Sequence, residues 1–185
     1  GGVQVRPACR CAALDASAGP HNVTIGGNYA NGGSYTSGAN LTTFTGTNGA
    51  GPFTLDTGGA GATQDFQDIS FDSPTNDRVF QLINNPLDAD GTLTIGAGDT
   101  LDIQGFDLTV GTAFQNLGRL LREGSGETAP RDNDSGTVEY DGAGGTIQDY
   151  GDAVPDHFAL VVSNNQSSDA GALLETASSL DVATG

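Results

Sequence analysis

The sequence predicts an all-β chain, a parallel β-solenoid of short coils with Gly- and Asp-rich turns. Three observations carry the prediction. The composition favours turns over helices, with 29 Gly and 19 Asp in 185 residues. The stretch from Thr92 to Val110 breaks into short segments that alternate apolar and polar residues. An internal repeat keeps its phase across an insertion.

The composition narrows the class. Six Arg and no Lys stand against 23 Asp+Glu, a formal charge of −17. Such a surface repels phosphate backbones, which excludes nucleic-acid binding. No apolar run approaches the ~20 residues of a spanning helix, so no membrane insertion is expected. The absence of Met predicts a processed chain or a fragment. Excess Asp without Lys keeps a protein soluble in salt and beside divalent cations, which points outside the cell.

The strands come next. Thr92-Leu93-Thr94-Ile95, Leu101-Asp102-Ile103 and Leu108-Thr109-Val110 each show the period of two that marks a strand with one buried face. The links between them hold Gly or Asp and are too short for helical crossovers. A hairpin meander and a solenoid both fit such links. Repetition decides between them. Val23-Thr-Ile25 through Tyr35 reappears as Leu108-Thr-Val110 through Leu120, apolar for apolar, at an offset of 85. Thr43 to Gly46 corresponds to Glu139 to Gly142, Phe66 to Phe71 to Phe158–Val162, and Leu101-Asp102-Ile103 to Leu180-Asp181-Val182. The added length is absorbed by Arg122 to Asp134, a polar insertion that reads as a protruding loop. Solenoids tolerate insertions of this kind, because they bulge from one face. At ~20–25 residues per coil the chain makes about eight coils. Residues 1–20 are expected as an N-terminal arm or first coil, able to dock on a neighbour, and residues 21–185 as the solenoid, with long repeats at roughly 22–106 and 107–185.

Candidate sites are few. Asp132-Asn133-Asp134 and Asp88-Ala89-Asp90 place hard oxygens two residues apart, as calcium loops do, without the full EF-hand spacing and its terminal Glu. Asp is also an ordinary turn residue. Calcium is the only cofactor the pattern suggests. Cys9 and Cys11 sit too close on one strand for an unstrained mutual disulfide. They are incidental thiols or partners in a cross-segment or intermolecular bridge. His21 and His157 neighbour turn residues, and no G-x-S-x-G occurs. A hydrolase needs two carboxylates across a cleft. Asp149 and Asp152 are one such pair, but no pair stands out, so no enzyme is expected. Tyr29, Tyr35 and Tyr140 fall on repeat positions held elsewhere by Phe or Leu, which makes them core residues rather than a sugar-stacking face. Asn22, Asn40, Asn133 and Asn165 head glycosylation sequons, expected by chance in this composition.

Gly27 to Gly38, Thr42 to Gly46, Phe66 to Phe71, Leu93 to Val110 and Thr137-Val138-Glu139-Tyr140-Asp141-Gly142 together resemble bacterial secreted β-helix repeats, of the haemagglutinin and autotransporter-passenger type. The resemblance covers roughly residues 22–185 and implies a right-handed β-helix on an exported protein with an adhesive or structural role. Ser179 to Gly185 stops inside a strand-like repeat without a polar cap. An open solenoid end is a template for another chain, and a head-to-tail contact that does not close gives filaments. Val3, Val5, Cys9 and Cys11 at one end, and Leu180 and Val182 at the other, are therefore the expected assembly residues. The leading expectation is an extracellular structural subunit that stacks on itself. An adhesin fragment that binds glycans through loops such as 122–136 is the alternative, and a polysaccharide-active enzyme the third.

Overall fold

Every named strand in the structure pairs in parallel, and the pairing runs from coil to coil rather than between sequence neighbours. The computed structural model describes residues 3–5, 9–59, 66–75, 77–132, 135–152, 154–163, 167–168 and 176–182, with 3–5, 9–12, 167–168, 177–178 and 181–182 described by backbone alone. Among these there is no helix. The chain is a β-solenoid of about seven turns, close to the eight expected from coil length.

In chain order the strands are β1 (Val3–Val5) and β2 (Cys9–Asp15), β3 (Val23–Ile25) and β4 (Tyr29–Thr36), β5 (Leu41–Phe44) and β6 (Phe53–Asp56). Then come β7 (Asp68–Phe71), β8 (Val79–Leu82) and β9 (Leu87–Ala89), followed by β10 (Thr92–Ile95), β11 (Thr100–Asp102) and β12 (Leu108–Val110). The last are β13 (Ala113–Asn116), β14 (Arg119–Arg122), β15 (Thr137–Tyr140), β16 (Thr146–Ile147), β17 (His157–Val162), β18 (Ser167–Ser168) and β19 (Thr176–Val182). One sheet has six strands, β1-β3-β5-β7-β10-β13. The other long sheet has nine, β2-β4-β6-β8-β11-β14-β15-β17-β19, and β9-β12 and β16-β18 form two-stranded sheets. The three segments Thr92–Ile95, Leu101–Ile103 and Leu108–Val110 are three sides of one coil, as their alternation and short Gly/Asp links predict.

Parallel register stacks like on like. In the six-stranded sheet Ile25, Phe44, Phe71 and Ile95 form an inward column, and Val23, Thr42, Ile69 and Leu93 form a second. In the nine-stranded sheet Phe53, Phe80, Leu101, Leu120, Val138 and Leu160 stack in turn. All of these side chains are buried. Between the two sheets lies an aromatic cluster. Phe44 stacks on Phe71 at 5.1 Å, and Phe66 sits between Tyr35 at 4.9 Å and Tyr29 at 5.9 Å. Tyr29, Tyr35 and Tyr140 are thus core residues, as their repeat positions predict. Tyr35 keeps its hydroxyl satisfied by Thr42 at 2.6 Å.

The corners are held by acids and amides that reach across one coil. Asp68 accepts from the Thr92 N–H at 2.7 Å, Asp107 from that of Thr128 at 2.7 Å, and Asn28 from that of Thr54 at 3.0 Å. Asp99, almost fully buried, accepts from Ser73 N and Arg78 N at 2.7 and 3.0 Å. Each satisfies a backbone donor where the ladder pauses at a turn. Asn40 is spent in the same way, accepting from His21 N and donating to the Ala16 and Ser37 carbonyls, which closes that sequon to modification.

Two expectations need restating. The insertion from Arg122 to Asp134 does not simply protrude. Arg122, Glu127, Ala129 and Asp132 turn inward and are buried, because Arg122 finds both a carboxylate and an aromatic ring inside. The 85-residue offset also crosses sheets. Val23–Ile25 lies in the six-stranded sheet and Leu108–Val110 in a two-stranded one, whereas Leu101 and Leu180 do share the nine-stranded sheet. At the start of the chain, β1 and β2 pair with β3 and β4 as a first coil.

Candidate functional site

The interior changes character below β10. In the column Ile25–Phe44–Phe71–Ile95 the next residue is Asn116. Its amide donates to Asp132 Oδ2 at 2.7 Å and to the Thr137 carbonyl at 3.1 Å, and its Oδ1 accepts from Gly118 N. Asp132 in turn bridges to His157, whose neighbour Phe158 donates its N–H to the Asp132 carbonyl at 2.6 Å. Where the upper coils stack Phe and Ile, these place Asn, Asp and His.

Arg122 faces them from β14, in register with Tyr140 of β15. Its guanidinium lies 5.0 Å from the centre of the Tyr140 ring, 3.5 Å from Glu127 Oε1 and 2.8 Å from the Glu127 carbonyl. The Arg122 and Glu127 side chains are 1% and 0% exposed. Glu127 also accepts from Gly124 N at 2.7 Å and from Ser125 Oγ at 3.2 Å, so every oxygen has a donor. The rings of Tyr140 and Tyr150 meet the His157 imidazole edge-on at 5.9 and 6.2 Å. Arg131 covers the outer side of Tyr150 at 4.8 Å and pairs with Asp152 through two contacts of 2.9 and 3.0 Å. Asp156, buried, accepts from Tyr150 N.

Burial sets the protonation states. His157 is pushed down to about 4 by desolvation first and by the Arg122 charge second, so it is neutral at pH 7. Neither of its ring nitrogens has a partner with hydrogen-bond geometry, although the Gln148 backbone lies beside it. Tyr150 is pushed up to about 12 by burial, and burial also raises Tyr140. Outside this chamber, the loops 123–128 and 142–146 and Gln148 enclose an open pocket of about 740 Å³. Its lining is glycine and Ala143, the hydroxyl residues Ser125, Thr128 and Thr146, Gln148, and two acids, Glu123 and Glu127, with no aromatic side chain.

The residues singled out by sequence are scattered. Asp88 is half-buried in β9 and Asp90 exposed just beyond it. Asp132 is buried with its carboxylate on Asn116 rather than open to solvent, and Asp134 lies outside the described residues. No group of three or more acidic, His or Cys side chains gathers as a metal site among the described residues. Asp149 accepts from Gly151 N and Asp152 is held by Arg131, so that pair is occupied by turn and ion-pair contacts. Val3 and Val5 lie in β1, and Cys9 and Cys11 in β2 opposite Tyr29 and Asn31; their side chains lie outside the described residues. Leu180, paired with Leu160, is 59% exposed, and the Val182 backbone pairs with Val162. Sequence reasoning missed Arg122, Glu127, Asn116 and the role of His157. The one available signal was polar residues standing at apolar repeat positions. The chain matches no protein family, no curated protein and no solved structure. The class is set by the fold alone, a parallel β-solenoid.

Proposed function

We propose that this chain is an extracellular structural subunit whose solenoid lengthens by stacking copies end to end, β19 of one on the first coil of the next. The observation that carries the reading is Leu180. It continues the Leu101–Leu120–Val138–Leu160 column yet stands 59% exposed, where a further coil in register would bury it. The resemblance to secreted bacterial β-helix repeats supports placement outside the cell, and so does the charge of −17. The mechanism is mechanical: backbone ladders between coils resist extension, the dry columns hold them in register, and acidic turns keep the outside hydrated.

The test is negative-stain microscopy and sedimentation of the purified chain beside Leu180→Asp. Filaments from the parent and single rods from the variant support stacking. Single rods from both, at every concentration tried, overturn it. The pocket beside loop 123–128 supports a second reading, an adhesin that takes a neutral, hydroxyl-rich glycan there. Glycan-array binding that is lost in Ser125→Trp would favour that reading over the first.

A further inference from the structure

Among the described residues, His157 is the histidine enclosed by the core; the other, His21, is exposed. Its surroundings come from every neighbouring element. Arg122 of β14 and Arg131 of the following loop oppose a charge on it. Asp156 favours one, the Gln148 backbone lies alongside, and the rings of Tyr140 and Tyr150 close two sides. Glu127, the nearest carboxylate to Arg122, is already committed to that cation and to Gly124 and Ser125. The Gln148 backbone and Asp132, bridged to His157 on the adjoining coil, offer acceptors, but in the closed form neither ring nitrogen is in hydrogen-bond geometry with one.

We propose that His157 is an acid-operated latch: protonation opens the coils from Arg119 to Ser163 while the aromatic coils from Val23 to Leu82 stay closed. The two regions differ in what fills them. The upper coils enclose Phe44, Phe66, Phe71 and Phe80, which do not titrate. Tyr29 and Tyr35 are buried beside them; the lower coils enclose Tyr140, the Arg122–Glu127 ion pair and the imidazole, with Tyr150 half-buried. Burying a second cation beside Arg122 is unfavourable unless it is paired, so the proton is taken up by the open form.

The sign and size follow from linkage. A depressed histidine costs nothing above its free value of 6.5, where both forms are neutral. Between 6.5 and about 4 only the open form binds the proton, so opening rises as pH falls and then levels off below 4. From pH 7.5 to pH 5 the opening equilibrium rises about 30-fold. The latch goes beyond the stacking proposal and is independent of it, because its readout is local and holds in a single rod.

The experiment is amide hydrogen exchange at pH 7.5 and pH 5 on the full chain, corrected for intrinsic rates. The Phe158 and Ser163 amides, bonded to the Asp132 and Tyr140 carbonyls, report the lower coils. Those of Thr45 and Asp72, bonded to Ile25 and Phe44, report the upper ones. The expected result is a rise of about 30-fold at Phe158 and Ser163 with no change at Thr45 and Asp72, abolished in His157→Gln and kept in His21→Gln. A uniform rise, no rise, or a rise that survives in His157→Gln overturns the latch. Should His157→Gln not fold, titration of the two histidine rings by NMR in the parent decides. A midpoint for His157 below 5 supports the proposal. A His157 midpoint near 6.5 refutes it.

Discussion

Replacing Arg122 with Met tests whether the lower coils are held by charge or merely contain it. Met fills much of the arginine stem but leaves Glu127, 0% exposed, without its cation. Removing one member of a buried pair typically costs about 3–5 kcal/mol, because the remaining charge is stranded. The lost bond to the Glu127 carbonyl at 2.8 Å lies within that range. For a chain of this length each kcal/mol moves the melting temperature by about 2–4 °C, so Arg122→Met melts about 10 °C lower. Glu127→Gln strands Arg122 over the Tyr140 ring and costs a similar amount. The double variant has no stranded charge. It returns to within about 1–2 kcal/mol of the parent, since a buried pair replaced as a unit is close to neutral. The assay is urea unfolding followed by far-UV circular dichroism on all four proteins, at pH 7.5, where His157 is neutral in every state. If Arg122→Met costs less than about 1 kcal/mol and the two changes simply add, Arg122 is solvated and the chamber described above is wrong.

Three further outcomes follow from the geometry. Phe44→Ala removes a fully buried ring that stacks on Phe71 and touches Tyr29, Phe66 and Phe80; it costs about 3–5 kcal/mol in the same unfolding assay. Gly118→Ala drives a methyl group into the Asp99 and Gly96 carbonyls, where backbone has to move, and loses about 2–3 kcal/mol in that assay. Deleting residues 1–12 removes β1 and the start of β2; it abolishes filament formation while the β signature in circular dichroism persists, and unchanged assembly would discard the stacking of first coil on β19.

Which parts of this were legible depends on how far each residue's partner lies along the chain. Leu93, Ile95, Leu101 and Leu108 announce their strands because alternation is a local property, and Gly and Asp announce the corners for the same reason. The acids' work was invisible. Asp68 serves the N–H of Thr92 and Asp107 that of Thr128, one coil away, so a calcium loop and a corner cap read alike in the sequence. Coil length varies as well. Leu55 pairs with Leu82 and Leu120 with Val138, so a fixed offset drifts from one sheet to another, as it did for Val23–Ile25 and Leu108–Val110. His21 and His157 both stand beside turn residues, yet one is exposed and the other enclosed. Nothing local separates them, because the wall around His157 comes from Arg122, Tyr140 and Tyr150 of other segments.

The switch at Asn116 explains why one solenoid carries two kinds of core. A side chain in a parallel column is packed by the residues directly above and below it. Ile95 can therefore end an apolar column only if the next residue brings its own polar partners. Asn116 does, binding Asp132, the Thr137 carbonyl and Gly118 N at once. Beyond it the six-stranded sheet stops at β13 while the nine-stranded sheet runs on to β19. The space left beside β14, β15 and β17 must still be filled. Arg122, Tyr140, Tyr150 and His157 suit it because each is large and mostly apolar in its stem or ring, with a polar group at the tip. Such a core is held by hydrogen bonds and charge, which answer to pH, as well as by burial. The aromatic coils are held mainly by burial, which does not answer to pH, with carboxylates such as Asp68 and Asp99 confined to their corners. Acid should therefore divide this molecule near Asn116, where the two kinds of column meet.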